Sequence, residues 1–228
     1  MDSSSRLNVL SAMIDTGLVP IFYHQDLKTS IQVVKACLDG GARCVEFTNR
    51  GPHAHQVFEG IASHFSDDDR LILGAGSIVD AATAALYLQV GADFIVGPVL
   101  NSKVAKSCNR RQVTYVPGCG SASEISAAQE LGVEICKVFP ASTLGGPDFI
   151  RSILGPMPWS QLMPTGGVSP APEEIKQWID AGAACLGIGS ALISRNAVEV
   201  GNFDPIQQGV EAALAHIRQA RQRPAASP

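Results

Sequence analysis

Clustered positive charge is missing from this chain. Its 228 residues hold 17 Lys and Arg against 21 Asp and Glu, a formal net charge of −4. The one basic pair of note, Arg110-Arg111, is too short to neutralise a phosphate backbone, so nucleic acid is not expected as a partner. Long apolar runs are missing too. None approaches the roughly 20 residues that cross a bilayer, so no membrane partner is expected. The segment Met1 to Arg6 is polar and Ser-rich. It lacks a basic stretch leading into an apolar core, so no secretory signal is expected and the cytoplasm is the expected location. Six cysteines are present without a C-x-x-C pair, which argues against a thiolate zinc site. Cys44, Cys136 and Cys185 fall inside apolar, strand-like runs and read as buried thiols. The acidic run Ser66-Asp67-Asp68-Asp69 lacks the alternating spacing and terminal Glu of a calcium loop. His53 and His55 are two residues apart and would not share a helix face, so they read as rim residues rather than metal ligands.

What is present is a repeated unit. A helix-like segment ends near a Gly, and a short apolar strand follows. The unit appears at Gly40 to Phe47, Val90 to Gly97, Leu131 to Val138 and Ala181 to Gly189. Glycine supplies the left-handed helix cap, and the apolar run supplies a strand buried on both faces. Further strands are expected at Val19–Phe22, Leu71–Leu73, Thr114–Val116 and Gln161–Pro164, giving eight in all. Amphipathic helices are expected at Ile31–Leu38, Ala81–Val90, Glu124–Leu131 and Glu173–Ala181. This alternation implies a parallel sheet with right-handed crossovers. Eight units favour an α/β fold of the (β/α)8 TIM-barrel kind over an open Rossmann-like sheet, and no G-x-G-x-x-G follows the first strand. Ser3 to Thr16 adds a helix before strand one, and a last helix runs from about Pro205 to Arg221. A single domain, 1–228, is expected, with a core of about 17–221 and a Pro/Ala/Ser tail over 222–228 that reads as disordered.

In such a barrel the chemistry lies at the C-terminal ends of the strands. Lys137 is the one lysine of six that falls inside an expected strand. Period-two alternation puts it on one face with Val133, Ile135 and Phe139. Apolar neighbours strip its hydration and favour the neutral amine that attacks a carbonyl; the alternative is a structural lysine paired with a buried carboxylate. Glu46 also ends a strand and can point into the same mouth. It can shuttle protons beside the amine or serve as an ion-pair partner of Lys137 or Arg50. Thr165-Gly166-Gly167 and Gly189-Ser190 follow strands seven and eight, where barrels commonly hold a phosphate on backbone N–H groups.

The ordered motifs V-E-F-T-N-R (Val45 to Arg50), G-A-G-S (Gly74 to Ser77), F-I-V-G-P (Phe94 to Pro98), P-G-x-x-S-x-S-E (Pro117 to Glu124), C-K-V-F-P-A (Cys136 to Ala141), P-T-G-G-V-S (Pro164 to Ser169) and Gly189-Ser190 resemble one family. It is the 2-keto-3-deoxy-6-phosphogluconate (KDPG) and 4-hydroxy-2-oxoglutarate (KHG) aldolases, and the match runs from about Val19 to Ser194. The resemblance implies a class I aldolase in which Lys137 forms a Schiff base and Glu46 is the general acid/base. It further implies that Arg50 and Ser77 hold the pyruvyl carboxylate and that Pro98, Phe139 and Thr165 line the pocket. Gly166, Gly167, Gly189 and Ser190 would then hold the phosphate. The implied partners are a phosphorylated keto-deoxy sugar acid and pyruvate. No metal and no cofactor are implied, and a homotrimer is. Against the family pattern, Ser77 stands for Thr, Ser121-Ala122 for Thr-Pro, and Asn49 for an apolar residue before Arg50. The last two alter loops around the mouth, where the aldehyde half of the substrate is selected. A related aldolase for 2-keto-3-deoxy-6-phosphogalactonate, a sugar-phosphate epimerase or isomerase barrel, a metal-dependent aldolase and a catalytically silent relative are the rival readings.

Overall fold

Apolar strands and capped helices alternate through residues 5–222, the part of the chain that the computed structural model describes. Within it the strands are β1 (Leu18–Phe22), β2 (Cys44–Thr48), β3 (Ile72–Gly76), β4 (Phe94–Val96), β5 (Thr114–Val116), β6 (Gly118–Cys119), β7 (Ile135–Val138), β8 (Gln161–Pro164) and β9 (Leu186–Ile188). The helices are α1 (Arg6–Thr16), α2 (Leu27–Asp39), α3 (Ala54–His64), α4 (Ala81–Gln89), α5 (Ser102–Arg110), α6 (Ala122–Glu130), α7 (Pro147–Leu154), α8 (Pro172–Asp180), α9 (Arg195–Glu199) and α10 (Asp204–Gln222). None of them is long and apolar enough to cross a membrane.

Local chemistry sets the boundaries. Asp26, Asp80, Asn101 and Ser121 each accept a backbone N–H from the first turn of the helix that follows, the usual work of an N-cap. In the four repeats noted in the sequence, Gly41, Gly91, Gly132 and Gly182 take φ between 78° and 98°, which a side chain would resist. The expected first helix begins at Arg6 with Ser5 as its cap; Ser3 lies outside the described residues. So does the expected tail, apart from Gln222, which ends α10.

Every strand pairing is parallel. The strands form a six-stranded sheet, β5-β4-β3-β2-β1-β9, and a three-stranded sheet, β6-β7-β8. This corrects the expectation of one uninterrupted ladder of eight. The fifth strand keeps its expected bounds, Thr114–Val116, and an unexpected short strand, β6, follows it across Pro117, which has no N–H to give, although its carbonyl accepts from Lys137 at 2.9 Å. The two sheets touch again where Thr165 bridges Gly187 and where Ala184 N–H donates to the Leu162 carbonyl at 2.9 Å. β3 also runs further than its apolar residues suggest. The strand was expected over Leu71–Leu73, with Gly74, Ala75 and Gly76 at its end, and these three pair with Glu46, Phe47 and Thr48.

Two apolar layers hold this arrangement. The larger lies between strands and helices and includes Val45, Phe47, Phe58, Leu73, Tyr87, Val138 and Ile188. The smaller takes its residues from the other strand face: Val19, Cys44, Ile72, Phe94, Val116, Ile135, Met163 and Cys185. Val9, Ala12 and Met13 of α1 pack into it. Stepping two residues along each strand from this layer leads to Glu46, Gly74, Lys137 and Thr165. The inner core is thus the floor on which the polar residues stand. All six cysteines are free and buried. Burial pushes the Cys37 and Cys185 thiols up to about 12, which makes them poor nucleophiles.

Candidate active site

Every residue expected to catalyse or to bind substrate borders one cavity of about 850 Å³ at the C-terminal ends of the strands. Lys137 rises from β7 and Glu46 from β2. Their exposures are 6% and 1%, and Lys137 Nζ lies 3.7 Å from Glu46 Oε1. That distance is an ion-pair contact, longer than a hydrogen bond. Lys137 Nζ also sits 5.3 Å from the centre of the Phe139 ring, in reach of a cation–π attraction. Both oxygens of Glu46 are buried without a hydrogen-bond partner among the described residues. An orphaned buried carboxylate is costly. Burial therefore pushes Glu46 above the usual carboxylate range, while the charges of Lys137 and Arg50 pull the other way.

Glycine makes room for this pair. An added Cβ at Gly76 would lie 1.9 Å from Glu46 Oε1, and one at Gly74 would lie 2.0 Å from the Phe94 ring. The extension of β3 past its apolar residues is thus the space that Glu46 fills. Ser77 follows in a left-handed conformation, φ 60°, where a β-branched side chain would be more strained. A Ser where the resembling family has Thr fits that backbone.

The other expected residues surround the pair. Arg50 is exposed, Pro98 and Phe139 are half-buried, and Thr165 is buried, all on the cavity wall. Gly166 and Gly167 turn with φ 88° and 77°. The carbonyl of Gly166 accepts from Ser142, and that of Gly189 accepts from Leu192 and Ile193. These two loops lie beside each other because Thr165 bridges Gly187.

Sequence reasoning missed one wall. Tyr23, His24 and Gln25 also line the cavity, as do Thr48 and Arg195. The strand Val19–Phe22 was legible, and inspection of the polar residues just past its end would have found the first three. Asn49, expected to reshape the mouth, instead turns away from the cavity and accepts a hydrogen bond from Tyr87 Oη at 2.9 Å. The Ser121 departure makes a reciprocal cap: Ser121 Oγ accepts Glu124 N–H while Glu124 accepts Gly120 N–H. Among the described residues, no group of three or more His, Cys, Asp or Glu is arranged to hold a metal ion.

A buried amine beside an unsatisfied carboxylate, both facing an open cavity, can attack a carbonyl and pass protons to the adduct. Comparison with known proteins bears on which carbonyl. Residues 9–209 match the family model of the KDPG and KHG aldolases. A 2-dehydro-3-deoxy-phosphogluconate aldolase of Pseudoalteromonas atlantica is 33% identical over 198 residues, covering 87% of this chain and 90% of that protein. A 2-dehydro-3-deoxy-6-phosphogalactonate aldolase of Escherichia coli is 32% identical over 160 residues, 70% of this chain and 76% of that protein. A KDPG aldolase from Legionella pneumophila, crystallised with pyruvate captured as a covalent carbinolamine, superposes with a TM-score of 0.82. It covers 93% of this chain and 98% of that one at 23% identity, and so speaks for the fold.

Proposed function

The chain belongs to the KDPG and KHG aldolase family, and on that premise we propose that it is a class I aldolase cleaving KDPG to pyruvate and glyceraldehyde 3-phosphate. The observation that carries this is Lys137 Nζ buried 3.7 Å from Glu46, whose carboxylate oxygens have no hydrogen-bond partner among the described residues, at the floor of the cavity. Lys137 Nζ attacks the C2 carbonyl. Glu46 gives a proton to the departing hydroxyl, and the carbinolamine becomes an iminium. Glu46, now a carboxylate, takes the proton of the C4 hydroxyl. The C3–C4 bond breaks, its electron pair passes into the iminium, and the aldehyde leaves. The enamine is protonated at C3, and water hydrolyses the imine to release pyruvate. The raised affinity of Glu46 for protons suits a group that both gives and takes one.

Arg50 and Ser77 hold the pyruvyl carboxylate, and Phe139, Pro98 and Thr165 pack around the imine. The loops of Gly166, Gly167, Gly189 and Ser190, which border the same cavity as Arg50, receive the phosphate. No cofactor takes part. The chain acts as one domain and assembles as a homotrimer, a reading supported by its family alone. We read the two sheets as one closed eight-stranded cylinder, in which β5 and β6 are a single strand interrupted at Pro117. The Thr165–Gly187 bridge then joins the remaining edges.

KHG cleavage to pyruvate and glyoxylate is the second activity in view, through the same imine. The similarity to the phosphogalactonate aldolase favours that substrate as the alternative. The test is reductive trapping. Borohydride with pyruvate attaches a three-carbon unit to the wild type and not to Lys137→Met. An adduct on the variant overturns the assignment of the nucleophile, and no adduct on the wild type favours the isomerase reading.

A further inference from the structure

Arg50 is the group assigned to the substrate carboxylate, yet its guanidinium has no hydrogen-bond or ion-pair partner among the described residues. Its backbone sets where the side chain starts from, and that backbone is held on both sides. Before it, Asn49 N–H donates to the Gly76 carbonyl at 2.8 Å. Asn49 Oδ1 accepts from Tyr87 Oη at 2.9 Å. After it, Gly51 takes φ 78°, and a Cβ there would lie 2.9 Å from the Tyr23 hydroxyl. Tyr87 is a rigid post. It is fully buried in α4, and its ring meets Phe58 edge-on, centroids 5.0 Å apart. The Asn49 hydrogen bond thus ties the turn after β2 to the helix after β3.

We propose that Asn49 and Tyr87 form a positioning clamp that aims Arg50 at the carboxylate of the keto acid. The inference rests on the aldolase reading above. Neither residue touches the reacting atoms, and neither borders the cavity. An aliphatic residue at position 49 would leave the Tyr87 hydroxyl buried and unpaired, and loss of that hydroxyl would strand the Asn49 acceptor. Replacing both partners by apolar groups removes the mismatch, so the double variant should recover much of what either single variant loses.

The test is a set of steady-state measurements of pyruvate release, with borohydride trapping titrated against pyruvate. Tyr87→Phe and Asn49→Leu should each raise KM and the half-saturating pyruvate by about five- to tenfold, the effect of one lost hydrogen bond, with kcat within about twofold. The double variant should fall between them and the wild type. In an Arg50→Ala background Tyr87→Phe should change KM no further. A residue that merely supports the fold would instead lower thermal stability in both backgrounds without separating KM from kcat. Unchanged KM in both single variants, or an undiminished Tyr87→Phe effect in the Arg50→Ala background, overturns the clamp while leaving the aldolase. A wild type that neither cleaves nor traps overturns the aldolase reading and the clamp with it.

Discussion

At the scale of single residues, Glu46 is held at a cost. Its carboxylate is buried without a hydrogen-bond partner among the described residues, and burial raises its affinity for a proton against the pull of Lys137 and Arg50. A group whose folded-state affinity for protons is raised contributes stability that is fully present below its unfolded value, about 4.3 for a glutamate. That contribution is lost as pH rises through the raised folded value. The Glu46→Gln variant cannot ionise. Wild-type stability minus variant stability, from urea unfolding at stepped pH, should therefore fall from about pH 4.3 upward and then level. A difference that grows with pH would mean that attraction to Lys137 and Arg50 outweighs burial. Lys137 was legible in the sequence because a cation in an apolar strand is conspicuous. Tyr23 and His24 carry no such contrast with their neighbours, and only their place just past the end of a strand could have marked them.

At the scale of elements, β3 teaches the most. Gly74-Ala75-Gly76 is a poor strand by composition, since glycine weakens an isolated strand. Pairing with β2 overrides that preference. The two glycines do different work, and the same small change should separate them. Gly76→Ala puts a methyl against Glu46 Oε1 and should cut kcat by at least about tenfold by displacing the proton shuttle. Gly74→Ala meets the Phe94 ring and should cost about 1–3 kcal/mol of unfolding free energy, the usual penalty of overpacking. Turnover and denaturant midpoints on both variants check this; a loss of activity from Gly74→Ala at unchanged stability would contradict it.

At the scale of the whole molecule, α1 covers the end of the inner core opposite the cavity. Met13 is fully buried there with Val9 and Ala12. Arg6 fastens the helix to the Gly132 carbonyl and to Glu134. Truncating Met13→Ala opens a cavity beneath the site, and should cost about 2–5 kcal/mol in chemical denaturation. KM should stay near that of the wild type, because the polar residues stand one layer higher on the strands. A large change in KM at unchanged stability would show the floor and the site to be one unit.

By itself the sequence determined the alternation of strands and helices, the face on which Lys137 lies, and the family. These follow from period, glycine punctuation and short motifs, all of them local. Only the tertiary structure decided that Glu46 meets Lys137, that Asn49 answers Tyr87, and that a further strand follows the fifth across Pro117. Periodicity assigns a side chain to a face of its own strand, but which partner stands opposite depends on how distant strands register against one another.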